Sequence, residues 1–135
     1  MRPLTLENPK PLLEIAGKPL IGHIVETLPS EIDELVLVVG YLGEKIRNHC
    51  GDNFLGWPVT YVWQEKKLGT GHALKFCEPH LNGERFLMLY ADDLHGKSGI
   101  RECLEHDRAL LIAEHDEPQR FAVVAVNGDG TVREI

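Results

Sequence analysis

The segment LVLVVG at residues 35–40 is a continuous run of apolar residues that ends in a glycine. Two other segments have the same character, FLMLY at 86–90 and ALLIA at 109–113. Unbroken apolar runs of this length are typical of strands that are covered on both faces, as in a parallel sheet. We therefore expect three buried strands here. The alternating residues 59–63, VTYVW, predict a fourth strand.

Helical patterns lie between these runs. Four segments have apolar residues at spacings of three and four: 21–28, 43–50, 70–78 and 98–107. Proline lacks the backbone N–H that a helix interior requires, so Pro29 and Pro79 are expected to end the first and third helices.

Alternation of strands and helices is typical of βαβ units. We expect an α/β fold with a mostly parallel, Rossmann-like sheet that is flanked by helices. Near the C-terminus, Asn127-Gly128-Asp129-Gly130 separates two β-prone segments and predicts a β-hairpin over 121–135. A length of 135 residues corresponds to about one domain.

Composition excludes several functional classes. The chain is 43% hydrophobic and 26% charged, which is globular. Its net charge of −7 disfavours binding to nucleic acid, although local cations could still bind a small anion. No apolar run is long enough to cross a membrane. The three cysteines, Cys50, Cys77 and Cys103, lack the spacing of a zinc site, so we expect small apolar side chains in a reduced, cytoplasmic protein.

The first candidate site surrounds Lys10, which lies between Pro9 and Pro11. The two prolines restrict the backbone and disfavour a helix there. A lysine on such a stiff loop loses little entropy when its ammonium binds a phosphate oxygen. The alternative is a solvated lysine in a surface turn.

The second candidate is QEKKLGTGHA at residues 64–73, which leads from a predicted strand into a predicted helix. Ligands of open α/β sheets bind at the carboxyl ends of strands. Gln64 offers an acceptor and donors that match a nucleobase edge, and Thr70 could cap the helix. The alternative is an ordinary strand-to-helix turn.

The third candidate is the acidic pair Asp92 and Asp93, which follows the apolar run 86–90. A carboxylate at the end of a buried strand is costly unless it is paired or binds a metal. Mg²⁺ is commonly held by one or two carboxylates together with substrate phosphates. Either aspartate could be the ligand, and the alternative is that one of them only ends the strand or caps the next helix.

Taken together, these segments resemble the sugar-1-phosphate nucleotidylyltransferase family. Five segments carry the resemblance: RPLTLENPKPLLEIAGKPLI (2–21), VVGY (38–41), QEKKLGTGHA (64–73), LMLYADDL (87–94) and RFAVV (120–124). The resemblance implies that Lys10 and Asp92 are catalytic, with Lys10 on the phosphates and Asp92 as the ligand of a Mg²⁺ cofactor. The implied reaction joins a nucleoside triphosphate to a sugar 1-phosphate and releases pyrophosphate.

The resemblance also implies where the substrates bind. Gln64, Gly69 and Thr70 would contact the nucleotide, and Tyr90 and the main chain at Ala122 would face the sugar. The unbroken QEKKLGTGHA segment favours UTP or dTTP. The implied partners are these small molecules, with neither nucleic acid nor a membrane, and a homo-oligomer is compatible with the family.

Three alternatives remain open from the sequence. One is mannose-1-phosphate guanylyltransferase activity, another is a regulatory relative that binds nucleotide sugar without turnover, and the third is an unrelated α/β binding domain. The family's opening strand with its Gly-x-Gly-Thr-Arg loop would precede Met1, and its Glu-Lys-Pro segment and a later acidic residue would follow Ile135. We therefore expect residues 1–135 to be a partial domain that is inactive alone. Ala91 and Ala122 stand where the family commonly has glycine.

Overall fold

The computed structural model describes residues 7–66 and 68–135. The first part of the segment 2–21, and Lys67 within QEKKLGTGHA, therefore lie outside the described residues. The regular elements follow in this order: a 3-10 helix Lys10–Leu12, β1 Glu14–Ile15, β2 Lys18–Pro19, α1 Leu20–Val25, β3 Leu35–Val39, α2 Gly43–Cys50, β4 Asn53–Phe54, β5 Trp57–Trp63, α3 Thr70–Leu81, α4 Lys97–Leu104, a 3-10 helix Pro118–Arg120, β6 Ala125–Val126 and β7 Val132–Glu134.

The central sheet has three strands in the order β3-β5-β4. β3 and β5 are parallel and in register, from Leu35 opposite Val59 to Val39 opposite Trp63. β4 is antiparallel to β5. β6 and β7 form an antiparallel C-terminal hairpin, shorter than the segments from which it was predicted. The α/β class, the parallel pairing and the hairpin are thus confirmed.

The main core lies where α1 and α2 pack against β3. Its buried members are Ile21, Val25, Leu35, Val39, Ile46 and Cys50. Alternate residues of β3 reach this core, and Ile46 and Cys50 share one face of α2 because they are four residues apart. Full burial of such a side chain contributes about 1.5–3 kcal/mol, so this junction fixes the orientation of β3.

The helix predictions hold to different degrees. The structure has α2 at the predicted residues, and α4 begins one residue earlier and ends three residues earlier than predicted. α1 ends at Val25, before Pro29 can act on it. The prediction that Pro79 ends α3 is wrong, because the helix continues through it to Leu81. Only the last turn follows Pro79, so the lost N–H affects little of the helix.

The strand predictions for 86–90 and 109–113 are wrong. Within the described residues, neither segment pairs with a strand. Phe86, Met88 and Tyr90 are each about half exposed, at 48–52%. An apolar run provides side chains for burial, but a strand also needs a neighbour that bonds its backbone. The three cysteines do follow the prediction, since Cys50 and Cys77 are buried and Cys103 is partly buried.

The helices of the described residues are too short or too polar to span a lipid bilayer.

Candidate active site

The first part of the site joins two segments that are far apart in sequence. The Lys10 ammonium lies 2.5 Å from Oδ2 of Asp92, 82 residues later in the chain. Lys10 begins a 3-10 helix directly after Pro9, whose backbone is extended. Asp92 lies in a turn in which the Asp93 N–H donates to the Tyr90 carbonyl over 3.3 Å. The structure therefore brings together the two residues expected to be catalytic.

Both members of this ion pair are open to water, with side chains 39% and 43% exposed. An exposed pair of this kind contributes little to stability, because water and salt screen it. The Lys10 ammonium can therefore bind a phosphate, and the Asp92 carboxylate can bind a cation. Neither change leaves an unpaired charge in the protein interior, because both side chains already contact water. The arrangement suits an anionic ligand that is bound together with a metal.

The donor set at Asp92 is compatible with Mg²⁺ but does not complete a site for it. Within residues 7–66 and 68–135, no three His, Cys, Asp or Glu side chains gather as metal ligands. An exposed carboxylate offers the hard oxygen that Mg²⁺ prefers, and substrate phosphates and water commonly supply its other ligands. Asp92 thus fits the metal in the presence of a phosphate ligand.

The N-terminal segment is held at the sheet by α2. The Lys45 ammonium donates to the backbone carbonyl of Glu7, three residues before Lys10. Three residues span at most about 11 Å, and α2 begins four residues after β3 ends. This bond therefore ties the segment that carries Lys10 to the first turn of α2.

The second part of the site begins at Gln64, immediately after β5. Its backbone N–H donates to the Val39 carbonyl over 2.8 Å, which places Gln64 beside the carboxyl end of β3. A Cβ on Gly40 would lie only 2.9 Å from the Gln64 carbonyl oxygen, so the close approach requires glycine there. Gln64 thus lies at the carboxyl end of the parallel pair, the edge at which α/β sheets bind ligands.

The side chain of Gln64 contacts residues of the turn and helix that follow it, Gly69 and His72. Its Nε2 donates to the Gly69 carbonyl over 3.2 Å and lies 2.9 Å from Nδ1 of His72. Gly69 has a φ of +92°, a conformation that favours glycine, and it is the N-cap of α3. The expectation that Thr70 caps α3 is wrong, because Thr70 is already the first helical residue and its side chain makes no capping bond.

His72 is a contributor that the sequence analysis did not single out. Its ring meets the Phe76 ring edge to face, with centroids 4.8 Å apart. Both rings line a shallow pocket of about 320 Å³ together with Trp63, Glu65 and Lys66. The sequence feature that could have indicated His72 is its position inside QEKKLGTGHA, one helical turn before Phe76.

The two residues expected to face the sugar are both exposed. Tyr90 is adjacent to the Asp92 turn and is 48% exposed. Ala122 lies in an irregular segment before β6. In the part of the chain that the structure describes, no hydrogen bond joins Ala122 to Lys10, Asp92 or Gln64. The structure thus associates Tyr90 with the site and leaves Ala122 without a bond to it.

Comparison with known proteins identifies the family. The sequence pattern of the family described as "Nucleotidyl transferase" matches residues 1–135. The chain is 36% identical over 132 residues to the bifunctional protein GlmU of Methanococcus maripaludis, which covers 98% of this chain and 31% of that protein. It is 34% identical over 142 residues to the UTP–glucose-1-phosphate uridylyltransferase AglF of Haloferax volcanii, which covers 100% of this chain and 58% of that protein.

The chain therefore spans about a third to three fifths of the length of these curated relatives. The match extends over both halves of the chain and includes the segments that hold Lys10, Gln64 and Asp92. The chain belongs to the nucleotidyl transferase family.

Proposed function

We propose that this chain binds the substrates of a sugar-1-phosphate nucleotidylyltransferase and takes part in its reaction. The observation that carries the proposal is the contact between Lys10 and Asp92, which joins an exposed cation and an exposed carboxylate across 82 residues. A phosphate-transfer site needs both groups, one for the phosphate charge and one for a metal.

In the proposed reaction, a phosphate oxygen of the sugar 1-phosphate attacks the α-phosphorus of the triphosphate in line. The bond from that phosphorus to the bridging oxygen breaks, and pyrophosphate leaves with the electron pair. Lys10 moves from Asp92 to a phosphate oxygen and offsets its negative charge. Asp92 would hold Mg²⁺, which supplies further charge neutralisation when bound. Alignment and electrostatics then provide most of the catalysis.

The nucleotide would lie against Gln64 and the Gly69–Thr70 turn. The positive φ of Gly69 leaves the backbone open for close approach, and Gln64 is fixed beside it. UTP or dTTP is the proposed substrate. Two findings support this choice: the unbroken QEKKLGTGHA segment, and a relative whose name specifies UTP. Tyr90 and the main chain at Ala122 are proposed to face the sugar.

The test is pyrophosphate release by the purified full-length protein that contains residues 1–135, with Mg²⁺ present. Each of UTP, dTTP, GTP, CTP and ATP would be paired with glucose 1-phosphate, N-acetylglucosamine 1-phosphate and mannose 1-phosphate. We expect release with UTP or dTTP. Release only with GTP and mannose 1-phosphate would favour the guanylyltransferase instead.

Binding measurements separate the remaining alternatives. Calorimetric titration with the same nucleotides and with UDP-glucose would identify a regulatory relative, which binds nucleotide sugar but releases no pyrophosphate. Absence of both binding and release would overturn the proposal.

A further inference from the structure

The side-chain amide nitrogen of Gln64 contacts two protein groups, the Gly69 carbonyl and Nδ1 of His72. We propose that His72 is a positioning residue that fixes the amide orientation of Gln64, so that the site selects bases whose ring nitrogen carries a hydrogen: N3–H of uracil or thymine, or N1–H of guanine. This inference rests on the proposed function, because it concerns the nucleotide that the site would bind.

The Gly69 carbonyl decides which way the amide faces. A carbonyl oxygen only accepts hydrogen bonds, so the group 3.2 Å from it must be the amide nitrogen. That nitrogen also lies 2.9 Å from Nδ1 of His72. Since an amide nitrogen only donates, Nδ1 must be the accepting nitrogen, and the proton of a neutral ring is on Nε2.

The imidazole is itself held in place. Phe76 packs on it edge to face from the next turn of α3. Glu65 and Lys66 are the charged residues that line the same pocket, and Trp63 lines it from β5. A fixed ring and a fixed carbonyl allow the amide one orientation in which both bonds form.

The opposite side of the amide is left for a ligand. Among the described residues, none donates a hydrogen bond to Oε1 of Gln64. An oxygen in this position accepts from N3–H of uracil or thymine, or from N1–H of guanine. The corresponding ring nitrogens of cytosine and adenine are acceptors and would face this oxygen without a bond. The arrangement therefore disfavours CTP and ATP.

Two variants of nearly equal size test the proposal. His72→Asn keeps an acceptor close to the position of Nδ1, whereas His72→Leu removes the acceptor. The measurement is the ratio of UTP to CTP affinity with Mg²⁺, by calorimetry, in the wild-type protein and both variants. Circular dichroism would check that each variant is folded.

We expect His72→Leu to lower the UTP:CTP ratio about tenfold, the fold-change that one hydrogen bond commonly provides. His72→Asn should retain most of the wild-type ratio. If His72→Leu does not fold, His72→Ala, which also lacks the acceptor, is measured in its place.

Failure of this inference differs from failure of the proposed function. If the wild-type protein binds UTP but His72→Leu has the wild-type ratio, or His72→Asn lowers the ratio as much as His72→Leu does, His72 does not position Gln64. If the wild-type protein binds no nucleotide, the proposed function fails and the base-selection role falls with it.

Discussion

Residues 7–81 and residues 82–135 use apolar side chains in different ways. All the well-buried hydrophobic residues lie between Leu20 and Cys77, with the single exception of Ile100, among the residues that the structure describes. The later part has its apolar residues largely on the surface, including Phe86, Leu110 and Phe121. The first part contains the parallel strand pair, whereas the second contains α4, a 3-10 helix and a short hairpin.

The difference shows what a strand requires besides apolar residues. The runs 35–39 and 86–90 are alike in composition. The first pairs with β5 along its whole length, while the second has no strand partner within the described residues. A strand is therefore a property of two segments, and the apolar pattern of one segment indicates only half of it.

The candidate site crosses the boundary between these two parts. Lys10 and Gln64 come from the first part and Asp92 from the second, where it contacts Lys10 directly.

Amide hydrogen exchange should separate the two parts most strongly. Amides of β3 and β5 are bonded between strands, whereas those of 86–90 and 109–113 enter no ladder in the described structure. We expect the ladder amides to exchange roughly a thousandfold more slowly or better, because they open only with the core. The measurement is exchange followed by NMR or mass spectrometry. Equal protection in 86–90 and β3 would contradict the comparison.

Substitution at the acidic pair should have the next largest effect. In the full-length protein, we expect Asp92→Asn to reduce Mg²⁺-dependent pyrophosphate release by roughly a hundredfold or more, since it removes charge from the proposed metal ligand. Asp93→Asn is the matched variant, because it makes the same charge change one residue away from the contact with Lys10. A larger loss in Asp93→Asn than in Asp92→Asn would transfer the role to Asp93.

Core truncation should distinguish the single buried residue of the later part from its exposed neighbours. Ile100 is 1% exposed, and Leu110 is 48% exposed. We expect Ile100→Ala to lower the free energy of unfolding by about 2–4 kcal/mol, and Leu110→Ala by less than about 1 kcal/mol. Urea denaturation would measure both. Similar losses would mean that the segment 109–113 is buried in solution.

The sequence predicted the local elements of the fold better than the long-range contacts between them. The run 35–39 and the helix at 43–50 appear at the predicted residues, because apolar periodicity and the glycines at 40 and 51 specify them locally. The contact of Lys10 with Asp92 followed only from a family resemblance, since no local pattern specifies a neighbour 82 residues away. The role of Gly69 as helix cap in place of Thr70 depends on a positive φ that a turn sequence alone does not assign to one residue.

Alkaline pH should test the main core with a smaller effect. Burial raises the pKa of the Cys50 thiol from about 9 to about 11. A raised pKa disfavours the thiolate in the folded state, so its contribution to stability is complete below about pH 9 and is lost as the pH rises through about 11. Burial also raises the pKa of Tyr61, which acts in the same direction. Between about pH 9 and pH 11, the free energy of unfolding should therefore decrease less steeply with pH in Cys50→Ala than in the wild-type protein. The same pH dependence in both proteins would contradict the burial of Cys50.

The smallest expected effect concerns the contact that links the two parts of the chain. A double-mutant cycle with Lys10→Met and Asp92→Asn should give a coupling in the free energy of unfolding of about 0.5 kcal/mol or less, because both side chains are substantially exposed. The same variants should each weaken binding of Mg²⁺ with nucleotide, since the proposal assigns both groups to the ligand. A coupling energy well above about 1 kcal/mol, with nucleotide binding unchanged, would mean that the Lys10–Asp92 ion pair stabilises the fold and does not bind the ligand. A small coupling energy together with weakened nucleotide binding would show that Lys10 and Asp92 serve ligand binding rather than the stability of the fold.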